Sequence, residues 1–373
     1  MPANMKKTKG KFSFFTRLLI FVNGTIALAL LIAYLAPVID PRTFWPVAFF
    51  GLAYPPLLLL NALFIVYWLI VRSKLALISV ITILIGWNVL LNNIGLSVWN
   101  KQPEPAANSF RLLTYNVHHF SPFGEDKNDA IRHDILSTII SAKPDIVGMQ
   151  EYYSRKKGRY AMTDSISQLI KVPYYHAEAN MESTKEMMGI AIFSRFPIIS
   201  KGVVTIGEEG SGNQCIYADI KKDGQILRFY CVHLQSIQFE PQDYQYLDTV
   251  AKSGKADLSS TKRLGGKLKR AFLKRAEQVL TIKQHASASP YPYVISGDFN
   301  DTPTSFAVNQ MAKGIKNTFR EKGFGLGRTY NGDFPNYQID YIMASNRFDV
   351  SNYEIIKQKL SDHYPVYADL VLK

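Results

Sequence analysis

The chain has 373 residues, of which 47% are hydrophobic and 20% are charged, so a wholly disordered protein is excluded. Its formal net charge is +13, and residues 1–100 hold eight basic residues against the single acid Asp40. Within that region, residues 18–39, 43–71 and 75–100 contain no charge at all. This pattern excludes a purely soluble protein.

Each uncharged stretch is long enough to cross a bilayer, which needs about 20 mostly apolar residues. We therefore predict three transmembrane helices, over about residues 18–39, 44–71 and 75–99, in a membrane region that covers residues 1–100. A cleaved signal peptide is the alternative for the first stretch. Its apolar run is longer than that of a typical signal, and no clean small-x-small site follows it, so a retained anchor is favoured.

The distribution of Lys and Arg beside the spans predicts their orientation, because short basic loops stay in the cytoplasm. The N-terminal tail is basic and the second loop carries Arg72 and Lys74, whereas the first loop carries only Arg42. The tail and second loop are predicted to be cytoplasmic. The chain then leaves the inner membrane after Trp99, and everything C-terminal faces the periplasm or the exterior.

Four asparagines interrupt the second and third apolar stretches: Asn61, Asn88, Asn92 and Asn93. They could line a site, but hydrogen bonding between the membrane helices is the interpretation that we favour.

A linker is predicted over residues 101–109, because Pro103 and Pro105 oppose a helix and favour an extended spacer. From residue 110 onward, short β-type runs alternate with helical stretches, which predicts an α/β domain over residues 110–373. Helices are expected near residues 129–141, 163–171 and 265–285. The β-type runs are RLLTYNV, DIVGMQE, GIAIFS, CIYADI, ILRFYCVHL, YVISGDFN, IDYIMAS and VYADLVL.

The pair Asp223-Gly224 between CIYADI and ILRFYCVHL is a strong β-hairpin signal, so the sheet is not purely parallel. A two-residue loop sets Cys215 opposite Val232 and sends the side chains of Cys215 and Cys231 to opposite faces. A three-residue loop would instead set the cysteines directly opposite each other. We favour the two-residue loop and predict two free thiols, although the predicted compartment permits a disulfide.

Polar side chains end or follow several of the apolar runs, and Asp362 and His363 precede the last run; strand ends of a layered α/β domain converge, so these residues could form one cluster. Carboxylate and amide oxygens without cysteine suit Mg²⁺ or Mn²⁺. Such a site can hold a phosphoryl oxygen, activate water and neutralise charge, which predicts phosphoester hydrolysis. The residues are Asn116, Glu151, His233, Asp298, Asn300, Asp362 and His363.

The ordered motifs TYNV, DIVGMQE, VHLQ, SGDFND, QIDYIMAS and SDHYPV resemble those of the endonuclease/exonuclease/phosphatase superfamily. This superfamily includes deoxyribonucleases, abasic-site endonucleases, inositol-polyphosphate phosphatases and sphingomyelinases. The resemblance covers about residues 110–372. It implies a four-layer α/β sandwich, in which two mixed sheets pack face to face with helices outside.

The resemblance also implies roles for individual residues. Glu151 would be the main metal ligand, with Asn116 and Asp362 nearby, and Asp298 would be the base or the carboxylate that orients water. The phosphate would be contacted by Asn300, His233 and His363, and Asp340 would orient His363. Gln235 completes a His-x-Gln pattern found in sphingomyelinase-like members, and it is a candidate substrate-binding residue.

Other polar residues are expected to lie outside the site. His118 and His119 lie just past Asn116 and could reach substrate, but we favour surface-loop histidines; His176 and His285 are interpreted as structural. The basic segment 252–275 is either a phosphate-facing or bilayer-facing patch or a solvated helix, and the sequence favours neither.

The leading hypothesis is a membrane-anchored, Mg²⁺- or Mn²⁺-dependent phosphodiesterase. Its partners would be the lipid bilayer and a phosphoester substrate, and no protein partner is predicted. A linker of about ten residues keeps the domain within about 35 Å of the bilayer, which favours lipid headgroups or envelope phosphoesters. A DNA or RNA nuclease is the second hypothesis. A non-catalytic membrane protein that binds phosphorylated ligands is the third, and the intact residue set argues against it.

Overall fold

The computed structural model describes residues 12–97, 108–121, 129–158, 160–208, 211–332 and 336–373. Most of the basic N-terminal tail and nearly all of the predicted linker over residues 101–109 lie outside the described residues.

Among the described residues of the N-terminal region, two apolar helices, α1 and α4, are long enough to cross a bilayer. A third span exists only if α5, with the short turn before it, and α6 are taken together, because this pair is bent by 70°. The elements are α1 (Phe14–Ala33), α2 (Pro41–Phe44), α3 (Pro46–Leu52), α4 (Tyr54–Val71), α5 (Ala76–Ile85), α6 (Trp87–Asn93) and β1 (Ile94–Leu96).

Proline and glycine divide the apolar stretches differently from the prediction. The second stretch, expected as one span over residues 44–71, is shared among α2, α3 and α4. Pro46 begins α3 and Pro55 lies in the first turn of α4, because proline cannot continue a preceding helix. In the third stretch, a Cβ on Gly86 would lie 2.0 Å from the Tyr34 ring, so glycine permits the close approach at which the chain bends.

The membrane helices are joined by one asparagine that the sequence analysis did not single out. Asn23 of α1 accepts from Trp68 Nε1 at 2.9 Å and donates to Ser79 Oγ at 2.7 Å, so it links α1 to α4 and α5. Asn61 instead donates to Leu57 O of its own helix.

The α/β domain has two six-stranded mixed sheets, which confirms the predicted fold class. The first has the order β13-β14-β2-β3-β5-β4 and the second β10-β12-β9-β8-β7-β6. The strands are β2 (Ser109–Asn116), β3 (Ile146–Arg155), β4 (Tyr174–Glu182), β5 (Glu186–Ser194), β6 (Ile198–Val203), β7 (Gln214–Lys222), β8 (Gln225–His233), β9 (Tyr293–Asp298), β10 (Lys316–Asn317), β11 (Phe324–Leu326), β12 (Asp340–Ala344), β13 (Phe348–Ile355) and β14 (Val366–Leu372).

Three apolar layers hold the sandwich together. The inner layer, between the sheets, includes Phe110, Ile192 and Phe229. One outer layer packs α7 and α8 on the first sheet, and the other packs α10 and α11 on the second. The helices of the domain are α7 (Asp129–Ala142), α8 (Met162–Leu169), α9 (Pro241–Ser253), α10 (Leu258–Ser287), α11 (Phe306–Ala312) and α12 (Thr318–Lys322).

The hairpin between β7 and β8 has the predicted two-residue loop. Asp223 and Gly224 both have positive φ, 49° and 82°, as a type I′ turn requires. Cys215 therefore lies opposite Val232, and the prediction of two free, buried thiols is confirmed.

The end of the membrane region docks on the α/β domain through α6 and β1. Strand β1 pairs with β11, and Asn88 and Asn92 accept from the Arg320 guanidinium at 3.1 and 2.9 Å. Asn93 donates to Thr304 Oγ1 at 3.0 Å. The prediction of hydrogen bonds between membrane helices was therefore wrong for these asparagines, because α6 bends away from the helices toward the domain.

A second docking contact involves α2, α3 and the turn between them. The Phe49 ring meets the Phe272 ring of α10 edge to face, with centroids 5.3 Å apart. Lys269 Nζ lies 4.8 Å from the centre of the Trp45 ring. The membrane region and the α/β domain thus share a packed interface.

Candidate active site

Strand pairing explains why the polar strand ends meet. Strands β2 and β3 are parallel, and Asn116 is paired with Gln150, next to Glu151. Strands β8 and β9 are also parallel, and His233 is paired with Asp298. Because the carboxyl ends of neighbouring parallel strands lie at one edge of a sheet, each pair delivers its polar residues to the same place.

Two further elements enter the same edge from the opposite direction. Strand β12 runs antiparallel to β9 and begins at Asp340, directly opposite Asp298. The turn before β14 carries Asp362 and His363, and Ser361 Oγ ties it to the site by donating to Asn116 O at 2.9 Å.

Glu151 is turned into the cleft by a local irregularity of β3. The pairing of β3 with β5 shifts register between Met149 and Tyr152, and Glu151 has φ of 49°. A positive φ at a residue other than glycine costs on the order of 1 kcal/mol and is found where function holds a side chain in place.

Asp298 lies at the centre of a hydrogen-bond network and is 1% exposed. Asn116 Nδ2 donates to Asp298 Oδ2 and to Glu151 Oε1, at 3.1 Å each. The Asn300 backbone N–H donates to Asp298 Oδ1 at 2.8 Å, and its Nδ2 donates to Oδ2 at 3.2 Å. His233 Nε2 lies 3.6 Å from Asp298 Oδ2 and 3.8 Å from Glu151 Oε1.

His363 and Asp340 form a buried pair, with Nδ1 2.9 Å from Asp340 Oδ2. The other ring nitrogen, Nε2, lies 3.7 Å from Asp298 Oδ2. Burial by itself would lower the pKa of His363, but Asp340, Asp298 and Asp362 together raise it well above its usual range. These carboxylates therefore favour the protonated imidazole.

Three of the site carboxylates, Glu151, Asp298 and Asp362, differ in how readily they ionise. Burial raises the pKa of Asp298 to about 6 despite the nearby histidines. Burial also tends to raise the pKa of Glu151 and of Asp362. Neighbouring imidazoles outweigh burial and hold both pKa values below the usual range; the main one is His233 for Glu151 and His363 for Asp362. Glu151 and Asp362 are ionised at neutral pH, and Asp298 can gain or lose a proton near it.

The interpretation of His118 and His119 as surface-loop residues was wrong. His118 Nδ1 lies 3.2 Å from Asp362 Oδ1 and 3.8 Å from Glu151 Oε2, and His119 Nδ1 lies 3.9 Å from Glu151 Oε2. The hydrogen bond with Asp362 raises the pKa of His118, whereas burial lowers that of His119. Their position just after Asn116 was the signal in the sequence.

The structure does not bring Gln235 to the cleft, so a direct substrate contact as expected from the His-x-Gln pattern has no geometric support. Its amide is used inside the fold, where Oε1 accepts from Asn213 Nδ2 at 2.8 Å and Nε2 donates to Ser236 O at 2.9 Å. His176 and His285 also lie away from the site, bonded to Gly202 O and to the Tyr230 hydroxyl.

The basic segment 252–275 is neither a uniform patch nor a simple solvated helix. Arg263 and Lys267 bind the buried Asp243 at 2.9 and 2.7 Å, which fastens α9 to α10. Arg275 is 1% exposed and pairs with Asp301 at 3.0 Å, and it also donates to Asn300 O. Sequence reasoning missed Arg275 as a support of the site.

The site opens into a cleft of about 480 Å³, in the usual size range of ligand pockets. Its two sides differ in chemistry. The polar floor consists of Glu151, Asp298, Asn300, Asp362 and His363. The apolar wall consists of Phe49, Leu52 and Ala53 of the membrane region with Phe239, Leu268 and Phe272 of the α/β domain.

The donor set of the floor fits a hard divalent cation. The His118 ring sits between the ionised carboxylates of Glu151 and Asp362, a position that suits positive charge. Asn116 would have to turn its amide over to become a ligand, because its nitrogen faces the carboxylates. Asp298, Asp340 and His363 also have ligand atoms within 4.8 Å of one another, but the protonated His363 already pairs with Asp340 there.

Comparison with known proteins agrees with this geometry. Residues 16–93 match a family model described as a domain of unknown function. No curated protein gives a significant match to the chain. One solved structure with a similar fold is an endonuclease/exonuclease/phosphatase from Beutenbergia cavernae DSM 12333, with 18% identity over 71% of this chain and 72% of that chain and a TM-score of 0.50. A second, from Bacteroides vulgatus, has 19% identity over 71% of this chain and 99% of that chain and a TM-score of 0.50. The mannosyl-6-phosphatase Bt3783 of Bacteroides thetaiotaomicron VPI-5482 has 18% identity over 70% of this chain and 100% of that chain, with a TM-score of 0.49.

A second family model matches most of the α/β domain. Residues 113–363, well over half of the protein, match the model of the Endonuclease/Exonuclease/phosphatase family. This range begins within β2 and ends at His363, so it spans all the polar strand ends described above. The chain belongs to the Endonuclease/Exonuclease/phosphatase family.

Proposed function

We propose that this protein is a membrane-anchored, divalent-metal-dependent phosphodiesterase that acts on phosphoesters at the bilayer surface. Its family consists of phosphoester hydrolases. The observation that carries the proposal is the cleft itself, in which ionised Glu151 and Asp362 lie beside a buried Asp298 and the Asp340–His363 pair.

The residues of the floor divide the work. A divalent cation bound at Glu151 and Asp362 would polarise a phosphoryl oxygen. Asp298, whose pKa of about 6 suits a base near neutral pH, takes a proton from the attacking water. The side chains of His363 and His233 stabilise the negative charge that develops on the phosphoryl group. Asn300 and Asn116 position Asp298. Asn300 Nδ2 donates to Leu234 O at 3.0 Å, and this hydrogen bond would have to break before the amide could contact phosphate.

The arrangement of the membrane helices supports a catalytic domain on the non-cytoplasmic side. Arg72 lies over the Phe12 ring at 5.3 Å, at one end of α1. The other end, about 30 Å away by helix length, is where α3 and α6 contact the catalytic domain. The basic end of the helices is thus opposite the domain, and basic ends stay in the cytoplasm.

Metal and substrate assays test the proposal. The full chain should hydrolyse bis(p-nitrophenyl) phosphate with Mg²⁺ or Mn²⁺ and lose this activity in excess chelator. Glu151→Gln should raise the metal concentration needed for half-maximal activity at least tenfold and weaken Mn²⁺ binding measured directly. A matched control is Glu178→Gln, a β4 carboxylate outside the cleft. Metal-independent hydrolysis, or an unchanged Glu151→Gln variant, would contradict the proposal.

A nuclease is the alternative outcome. Rapid cleavage of plasmid DNA with Mg²⁺, without release of any phosphorylated headgroup from vesicles of bacterial phospholipids, would replace the lipid assignment. We favour a lipid over a nucleic acid as substrate, because α3 places residues of the membrane region in the same cleft as the catalytic carboxylates.

A further inference from the structure

We infer that the membrane region forms part of the substrate site, and that the apolar wall holds the hydrocarbon chain of a lipid phosphoester while the polar floor acts on its phosphate. This inference rests on the proposed function and names the substrate contact that the proposal leaves open. It assigns a binding role to Phe49, Leu52 and Ala53, which belong to α3 and the turn before α4.

The first argument is the polarity of a single cavity. Carboxylates and many apolar side chains line the same cavity, and the six residues of the apolar wall are among the latter. A small polar phosphoester would leave the apolar side in contact with water. An amphiphile, with a phosphate next to a hydrocarbon chain, matches both sides at once.

The second argument is the way in which the wall is fixed. Phe49 packs edge to face on Phe272, and the hydroxyl of Tyr337 donates to Leu52 O at 3.4 Å. A Cβ on Gly51 would lie 3.3 Å from Thr304 O and 2.5 Å from Ala36 Cβ, so glycine lets α3 approach the domain this closely. The membrane-region half of the wall is therefore held by specific contacts.

The third argument is continuity with the bilayer. Helix α4 begins at Tyr54, immediately after the wall residue Ala53, and presents Leu59, Leu63 and Ile70 at 60%, 56% and 81% exposure. Such an apolar surface is expected to face lipid. A lipid that enters the cleft keeps its chain against apolar residues from the bilayer to the floor.

Chain-length dependence of binding tests the inference. The full chain in nanodiscs with Mg²⁺ is titrated with methyl, butyl, hexyl and octyl phosphate, and Kd is measured by calorimetry. We expect affinity to rise about two- to fourfold per methylene until the wall is covered. In Leu52→Asn the octyl-to-methyl affinity ratio should fall at least tenfold. Leu59→Asn, an equal change on the lipid-exposed face of α4, should keep the wild-type ratio and so controls for partitioning into the nanodisc.

Each outcome decides between the claims. The inference is wrong if methyl phosphate binds but esters with longer alkyl chains bind no better. It is also wrong if affinity rises with alkyl chain length equally in Leu52→Asn and wild type, because the alkyl chain then does not lie on this wall. If the wild type binds no phosphate ester and hydrolyses none, the proposed function itself fails and the inference falls with it. The inference is supported if Leu52→Asn reduces the rise of affinity with alkyl chain length and Leu59→Asn does not.

Discussion

The two sides of the cleft are built by different kinds of interaction. The polar floor belongs to one domain, and backbone pairing between neighbouring strands sets the positions of His233, Asp298 and Asp340. The apolar wall joins residues that are more than 200 positions apart in the chain, such as Phe49 and Phe272, through side-chain packing. The floor should therefore be insensitive to how the membrane region docks, whereas the wall should depend on it.

The strongest test of this comparison is Asp298→Asn. The amide can keep several of the hydrogen bonds at this position but cannot accept the proton of water, so kcat should fall about 10³-fold or more for every substrate. Mn²⁺ binding should stay close to wild type, because Glu151 and Asp362 are unchanged. Asp223→Asn, in the exposed β7–β8 turn, is the control. Substantial turnover in Asp298→Asn, or loss limited to lipid substrates, would contradict the division between floor and wall.

The next largest effect is expected from Asp340→Asn, which removes the carboxylate bonded to His363 Nδ1. Loss of such a partner usually costs about 10- to 100-fold in activity. Asp340 acts through His363, so kcat should fall while KM changes little, and Asp340→Glu should recover part of the activity. The control is Asp219→Asn, a buried carboxylate of β7 that pairs with Arg228 at 2.6 Å. An equal loss in both Asn variants would indicate a general structural effect.

Much of the floor could be predicted from the sequence because each of its residues lies within, directly after or shortly before an apolar β-type run. The positions of Asn116 and Asp298 follow from strand ends that meet, whereas Glu151 lies inside β3 and reaches the cleft through the register shift between Met149 and Tyr152. The contacts of His118 with the site were missed because the chain turns back after Asn116. His118 has a φ of 42°, and no periodic pattern in the sequence predicts such a turn. The substrate-binding role of Gln235 stays a prediction, because the two-residue spacing from His233 does not show where the chain turns after β8 and the Gln235 amide is bonded to Asn213 and Ser236.

The apolar wall could not be predicted in this way. Apolar runs near residues 43–71 indicate membrane helices, and Pro46 and Pro55 indicate breaks, but neither indicates that α3 packs on α10. That contact depends on the shapes of two surfaces brought together by the tertiary fold. The asparagines of α6 were likewise interpreted within the membrane because their partners on the domain, among them Arg320 and Thr304, are more than 200 residues away.

Asp243 fastens α9 to α10 through Arg263 and Lys267, and its ionisation makes the stability of this contact depend on pH. It is fully buried at the start of α9, whose Tyr244 and Leu247 line the cleft. Burial would raise the pKa of Asp243, but the N–H of Glu240 with Lys267 and Arg263 lowers it to about 2. Asp243→Asn should destabilise α9 by about 2 kcal/mol and increase hydrogen exchange of its amides.

The pH dependence of this effect has a definite sign. Because the folded pKa is below the ordinary value of 3.8, the ionised carboxylate stabilises the fold above about pH 4, and this contribution is lost as the pH falls toward 2. The stability difference between wild type and Asp243→Asn should be constant from pH 5 to 7 and shrink below pH 4. Asp248→Asn, an exposed acid of the same helix, should change stability by less than about 0.5 kcal/mol. A difference that grows on acidification would refute the assignment.

The smallest effect is expected from Arg320→Ala, which removes the guanidinium that donates to Asn88 and Asn92. These bonds are partly exposed, so the loss should be about 1 kcal/mol. Because they hold α6 against the domain, the first consequence should appear in the pairing of β1 with β11, as an approximately fivefold faster hydrogen exchange of residues 94–96. Hydrolysis of a soluble diester should not change, since every floor residue stays in place. Arg347→Ala, which affects a distant turn, should leave that exchange at the wild-type rate. If Arg320→Ala instead lowered soluble-diester hydrolysis severalfold, docking of the membrane region would also shape the floor, and the two sides of the cleft would have to be treated as one unit.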